Sequence, residues 1–314
     1  MVNYLLAKGQ RLRRFLVSLR GRTAEVQMTT ALEPEVGPRS GTFNATRAES
    51  ATVIAIDWSG NARRLQARSK IWRAEVVNRE LTSVTNGLDR QETIDYLIER
   101  ATTTSGLIVG LDFSFSFPQW FLDRLEVATA SEAWDMVVRD GEGWLADPQP
   151  PFWRQTRPEI PQEFRRTECE SRDLTDLRPA SIFKLVGADQ VGPGSLRGMV
   201  QLARLKAAGF SIWPFDPPEL PMVVEIWPRG LYGNVVKTQD EARRSYLTEY
   251  WPNLSQETQD LVSTNDDSFD AAVSALFMGR NIEHLLRGGF HTEPHHRTEG
   301  RIWLQPTREG FKPR

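Results

Sequence analysis

The sequence predicts an α/β fold, a mixed sheet flanked by helices and interrupted by one irregular insertion. Two observations carry this reading. Short continuous apolar runs, Thr-Val-Ile-Ala-Ile-Asp57 and Gly106 to Leu111, read as buried strands, and each is followed or ended by an acid, Asp57 and Asp112. Between them, Asp89 to Thr103 carries Ile94, Leu97 and Ile98 on one helical face, and strands alternating with a helix imply parallel pairing.

Taken in order, residues 1–50 read as an N-terminal tail. They begin basic and amphipathic (Arg11, Arg13, Arg14, Arg20, Arg22) and continue from Glu33 to Thr46 without hydrophobic periodicity. The folded unit spans 51–306. After the first strand, Ile71 to Val77 and Leu81 to Val84 read as two further strands. From about 129 to 180 the texture changes to scattered tryptophans, prolines and charges with no sustained period, which reads as an insertion or lid. Beyond it, Ile182 to Val186 reads as extended, Ser195 to Ala208 as a helix ended by Gly209, and Met222 to Trp227 as a strand carrying Glu225. A last helix runs from near Asn265 to Gly279, with Ala271, Ala272 and Ala275 suited to close packing, and 307–314 form a C-terminal tail.

The bulk numbers narrow the function classes. A charged fraction of 25% and a net charge of −2 fit an ordinary globular chain without a global pull toward nucleic acid, so polyanion binding requires a local patch. No run is long and apolar enough for a bilayer, so neither a membrane partner nor a signal peptide is expected and the compartment reads as cytoplasmic. The single Cys169 has no recognisable His or Asn partner motif and reads as structural.

The chemistry lies in the acids. Asp57, Asp112, Glu225 and the Asp267/Asp270 pair stand near ends of elements that a β/α fold brings together. An acid ending a buried strand is costly to desolvate unless something compensates it, and a hard divalent cation does so. Asp57, Asp112, Asp267 and Asp270 are therefore candidate metal ligands, and Asp57, Asp112, Glu225 and Asp270 candidate catalytic residues. Oxygen ligands alone favour Mg²⁺ or Mn²⁺ over zinc. His295 and His296 read as a solvated turn, and His284 and His291 carry no pattern. The stretch Gly187 to Gly198 has two readings: a phosphate site formed by Ser195, Lys184 and Arg197 at a helix start, or a turn with Ser195 as N-cap. It does not match a Walker A loop. Trp58 beside the first acid is either packing or a base-stacking surface, and Phe113, Phe115 and Phe117 alternate as core or wall.

Six segments together resemble the DUF429 family: Ile54 to Gly60, Gly110 to Pro118, Val186 to Gly198, Ile212 to Asp216, Val224 to Arg229 and Asp266 to Ala272. Glu299 to Pro306 is similar to the family's ending. The resemblance covers residues 51–306 and implies a ribonuclease H-like (RuvC-like) fold and predicted nuclease activity. It implies that Asp57 is the first-strand acid, Asp112 the fourth-strand acid and Asp270 with Asp267 the final-helix acids, and it sets Glu225 in a Glu-x-x-Pro pattern.

The function expected from residues and resemblance is metal-dependent phosphodiester hydrolysis of a nucleic acid or nucleotide, with Lys184 or Arg197 neutralising charge. Two other readings use the same class of fold. An ATP-dependent phosphotransferase of the actin-like or sugar kinase type needs a second equivalent domain, for which 255 or so residues leave little room. A non-catalytic module binding nucleic acid or protein keeps the cleft without the metal chemistry.

Overall fold

Strand alternation and one close-packed helix decide where the acids end up. A computed structural model of the chain describes residues 51–187, 190–286 and 293–304; the tails read over 1–50 and 307–314, and His291, lie outside the described residues. The sheet is built from β1 (Thr52–Asp57), β2 (Trp72–Val77), β3 (Glu80–Thr85), β4 (Leu107–Leu111), β5 (Ser211–Ile212), β6 (Met222–Ile226) and β7 (Ile302–Trp303). The order is β3-β2-β1-β4-β6-β5, with β7 also pairing β6. The first three strands pair antiparallel, and β1, β4, β6 and its two short neighbours pair parallel. β5 and β7 share one edge: β5 pairs Met222 and Val223, and β7 pairs Glu225 and Ile226.

Twelve helices follow in chain order among the described residues: α1 (Arg64–Lys70), α2 (Arg90–Thr103), α3 (Gln119–Arg124), α4 (Ala130–Ala146), α5 (Arg166–Thr175), α6 (Gly192–Ala207), α7 (Pro228–Tyr232), α8 (Asp240–Tyr250), α9 (Gln256–Val262), α10 (Asp266–Arg280), α11 (Ile282–Leu286) and α12 (His296–Glu299). They cover both faces of the sheet and create two cores. Val53 and Ala55 of β1 and Ile108 of β4 pack with α10, while Ile54, Ile56, Val109 and Leu111 pack on the opposite face with α2, α4 and α6. This period of two is why the strands read as unbroken apolar runs.

α10 lies directly on the sheet because its residues and those beneath it are small. A Cβ on Gly110 of β4 would stand 2.5 Å from the Met278 sulfur and 2.9 Å from Ile226, and one on Gly279 would stand 2.7 Å from Val76. Ala271, Ala272 and Ala275 are buried at this interface. The helix starts with Asn265, whose side chain accepts from the Ser268 amide in a capping box.

The insertion is more regular than the sequence suggests. α4 is a 17-residue helix across which Trp134, Met136, Val137 and Gly141 are buried, and Thr129 with Glu132 forms its capping box. The interior glycines Gly141 and Gly143 and the crowded charges mask its period. Ile182 to Val186, expected to be extended, is a turn that touches Trp153 through a single bridge at Lys184. α6 begins at Gly192, one turn before the predicted Ser195. No helix of the described residues is long and apolar enough to cross a membrane.

Replacing Gly110 with Ala is expected to cost about 1–3 kcal/mol, the usual range for overpacking a core, because both Met278 and Ile226 must move. Urea unfolding of Gly110→Ala checks it; an unchanged midpoint would show that α10 is not seated this closely on β4.

Candidate active site

The same alternation that buries the strands turns two of their terminal acids toward α10. Asp57 ends β1 on the side of Val53 and Ala55, and Asp112 follows β4 on the side of Ile108. The Asp112 amide donates to the Ile56 carbonyl at 3.2 Å, which carries the parallel pairing one residue past the strand and sets Asp112 beside Asp57. Asp270 comes from the first turns of α10 and is 3% exposed.

These three carboxyls perturb one another. Burial first, then the charges of Asp270, Asp112 and Asp267, hold the Asp57 carboxyl well above the usual carboxylate range, against the pull of Lys237. Burial and the charge of Asp270 push Asp112 up to about 8, and Lys237 opposes this. Burial raises Asp270 to about 6, while Lys237, which is paired with it, and the neighbouring Tyr232 hydroxyl hold it down. Asp267 stands at the rim, 2.9 Å from the Lys70 ammonium.

Lys237 and Tyr232 are site residues that the sequence did not single out. The Lys237 ammonium pairs with Asp270 Oδ2, and its pKa is raised: burial acts against the shift, but Asp270, Asp57 and Asp112 outweigh it. No local pattern marks Lys237, which lies in the irregular segment between α7 and α8. One cation against three carboxyls leaves an excess of negative charge. The other oxygen of Asp270, Oδ1, is buried and has no hydrogen-bond partner. A buried carboxylate oxygen without a donor, in an all-oxygen set of acids, is the donor chemistry of a hard divalent cation such as Mg²⁺ or Mn²⁺, although the oxygens of these acids are not gathered within 4.8 Å of one another and would have to draw together to hold one.

Glu225 is not brought into this cluster. Val224 and Ile226 face α10, so alternation turns Glu225 to the opposite face, where it is 2% exposed. There Arg165 donates from both guanidinium ends, Nη1 reaching Glu225 Oε2 at 2.9 Å and Nη2 pairing with Oε1, and the Phe115 amide donates to Oε2 at 3.0 Å. Arg165 also donates to Glu168 and to the Glu299 carbonyl, so this ion pair ties the insertion, β6 and the end of α12 together. Glu225 fixes the fold under the site; it is not placed to ligate there.

The expected phosphate residues also separate. Ser195 is neither cap nor ligand: its hydroxyl is fully buried and accepts from the Ser114 amide at 2.9 Å, and the N-cap position belongs to Val191. The Lys184 ammonium lies 5.8 Å from the Trp153 ring centre. Arg197 donates to the Gly60 carbonyl and pairs with Glu142 at 2.7 and 2.8 Å, while Arg90 donates to the carbonyls of Ser59 and Asn61 at 3.0 and 2.8 Å. Two arginines from α2 and α6 thus fix the loop that follows Asp57. Gly60 is required there, because a Cβ would stand 2.4 Å from the Gly194 nitrogen. Trp58 is 8% exposed and packs on Phe113 at 5.1 Å, which makes it wall rather than stacking surface.

A cleft of about 1120 Å³ reaches Asp112, with Lys70 and Trp58 also among its walls; Asp57 and Asp270 lie behind Asp112 and do not line it. A second cluster lies elsewhere: Glu170, His295 and His296 offer three ligand atoms within 4.8 Å of one another. The expected solvated turn is a buried contact at His296, which is 1% exposed. His296 Nδ1 accepts from the Glu293 amide at 3.0 Å, so the ring proton sits on Nε2 and goes to Glu170 at 3.0 Å. That tautomer serves a hydrogen-bond network and leaves no lone pair on Nε2 for an ion. Burial pushes the Cys169 thiol up, which keeps it protonated and unreactive.

Comparison of the chain with models of known families, with curated proteins and with solved structures finds no match.

The carboxylate cluster predicts a stability signature. Acids whose folded pKa is raised favour the folded state at low pH, and that contribution is lost as pH rises through the folded values. The metal-free protein is therefore expected to lose stability between about pH 4, the ordinary carboxylate value, and about pH 8, where Asp112 titrates. Asp57→Asn is expected to melt about 2–5 °C above wild type at pH 8 and level with it at pH 4. A variant that melts lower at pH 8 would show that Asp57 is stabilised by the native contacts, not strained by them. Glu225→Gln, by contrast, is expected to cost about 3 kcal/mol at neutral pH, measured by denaturant unfolding, with divalent-metal binding retained by calorimetry; loss of metal binding without loss of stability would place Glu225 in the site.

Proposed function

We infer that the chain is a metal-dependent phosphodiesterase or nuclease of ribonuclease H-like fold. The convergence of Asp57, Asp112 and Asp270, three mutually strained carboxyls with one orphaned buried oxygen, carries this reading. Strand order and pairing support the fold assignment: two central parallel strands, β1 and β4, each deliver an acid, and the final long helix delivers the third. These are the positions that the DUF429 resemblance assigns to its first-strand, fourth-strand and final-helix acids. A cytoplasmic compartment and a nucleic acid or nucleotide substrate belong to the same proposal.

In this reading Asp57, Asp112 and Asp270 hold Mg²⁺ or Mn²⁺, with Asp267 at the rim. The ion supplies Lewis-acid activation of water and stabilisation of the leaving oxygen. The chain's own residues do the rest. Lys237 offsets one negative charge of the cluster by pairing with Asp270, and the neighbouring Tyr232 hydroxyl also favours the ionised Asp270 carboxylate. Arg90 and Arg197, by gripping the carbonyls of residues 59–61, hold the loop beside Asp57 in one conformation. The cleft brings a phosphate ester to Asp112.

Hydrolysis of labelled nucleic acid with Mn²⁺ or Mg²⁺ is expected, abolished by chelator, and lowered at least about 100-fold by Asp57→Asn, Asp112→Asn or Asp270→Asn, the scale of loss when one preorganised charge-stabilising group is removed. Gel analysis of end-labelled substrates measures it. Cleavage that survives all three substitutions would place the chemistry elsewhere.

A further inference from the structure

The cleft that leads to Asp112 has a size and a lining that discriminate among phosphodiester substrates. At about 1120 Å³ it lies just above the range of small-molecule sites, roughly 300–1,000 Å³, room for a few nucleotides of one strand. A duplex, with stacked bases between two backbones, does not enter a space of this size.

The cleft is lined by Asp112 and the Trp58 loop, by Leu145, Arg154 and Gln155 of the insertion, and by Leu185 and Val186 before α6. Val186 is 45% exposed, an apolar side chain left open in a cleft whose lining is largely apolar. Such a surface suits bases that are unstacked and displayed, as they are only in a single strand.

The cations differ. Lys70 is paired with Asp267, and Arg197 with Glu142. Arg154 has no carboxylate partner among the described residues; its Nη2 donates to the carbonyls of Leu145 and Ala146 at the end of α4, at 2.8 and 3.1 Å. A guanidinium positioned by carbonyls keeps its full charge and further N–H donors for a phosphate.

We propose that the substrate is single-stranded nucleic acid, lying in this cleft with its scissile phosphodiester at Asp112, the acid of the cluster that lines it, and a neighbouring phosphate on Arg154. The inference rests on the nuclease reading for its chemistry, but binding tests it separately. Fluorescence anisotropy of a labelled ten-nucleotide single strand, its blunt duplex and a four-way junction, each in Ca²⁺ with the full chain, is the measurement. The single strand is expected to bind at least about 10-fold more tightly than the duplex or junction; Arg154→Ala is expected to weaken it about 5- to 20-fold, one charge-assisted contact, and Arg154→Lys to restore most of the loss. Equal or tighter binding of duplex or junction, or a single-strand affinity indifferent to both variants, overturns the proposal. Melting curves of the variants separate misfolding from lost contact. Strand-selective binding without cleavage in Mn²⁺ would retain the substrate inference and remove the nuclease reading, whereas cleavage with no strand preference would do the reverse.

Discussion

Burial of Asp57, Asp112 and Asp270 together, with the charge of Asp270 raising the other two, is the constraint on which the rest of the site depends. The three carboxyls are held together at a cost, and every surrounding element prevents them from moving apart. β1 and β4 are adjacent parallel strands whose pairing extends to the Ile56 carbonyl and Asp112 amide, so their terminal acids cannot diverge. α10 cannot lift away because it is seated on Gly110 through Met278 and on Val76 through Gly279. Tight packing here serves electrostatics: a looser core would let the acids separate and relax to ordinary pKa values. Destabilised groups held in place by a rigid scaffold are the pattern of a functional site, since nothing in folding alone favours them.

The two faces of the sheet divide the labour. The α10 face carries the strained carboxylates with Lys237, while the opposite face carries Arg165 between Glu168 and Glu225, where Glu225 is paired on both oxygens and Glu168 leaves Oε2 without a partner. Both are buried acids, yet their chemical meaning is opposite. Glu225 has a bidentate guanidinium and a backbone amide for its oxygens; Asp270 has an ammonium on one oxygen and no donor on the other. Compensation, more than burial, separates the two carboxylates.

Much of this was legible in the sequence, and the parts that were not share a cause. Apolar runs ending in acids located β1 and β4 because strand ends are local signals, and the small-residue face of α10 marked its close packing. The face that an acid takes was also available in principle: Glu225 falls between Val224 and Ile226, and counting by two from the sheet's centre turns it away from Asp57. What could not be counted is tertiary. Lys237 reaches Asp270 across 33 residues of irregular chain and small helices, and Ser195 reaches the Ser114 amide across 81. The α4 helix hid behind its two glycines although Thr129 and Glu132 spell its start. The stretch Gly187 to Gly198, read either as a phosphate site or as a turn, braces the loop after Asp57 through Gly194 and Arg197.

The most direct test of the account is the position of bound metal. Crystals of the full chain grown or soaked with Mn²⁺ and measured at an energy with manganese anomalous signal should show density among Asp57, Asp112 and Asp270, within coordination distance of Asp270 Oδ1. Density at Glu170, His295 and His296 instead, or none at the three aspartates at pH 8 or above, would contradict it.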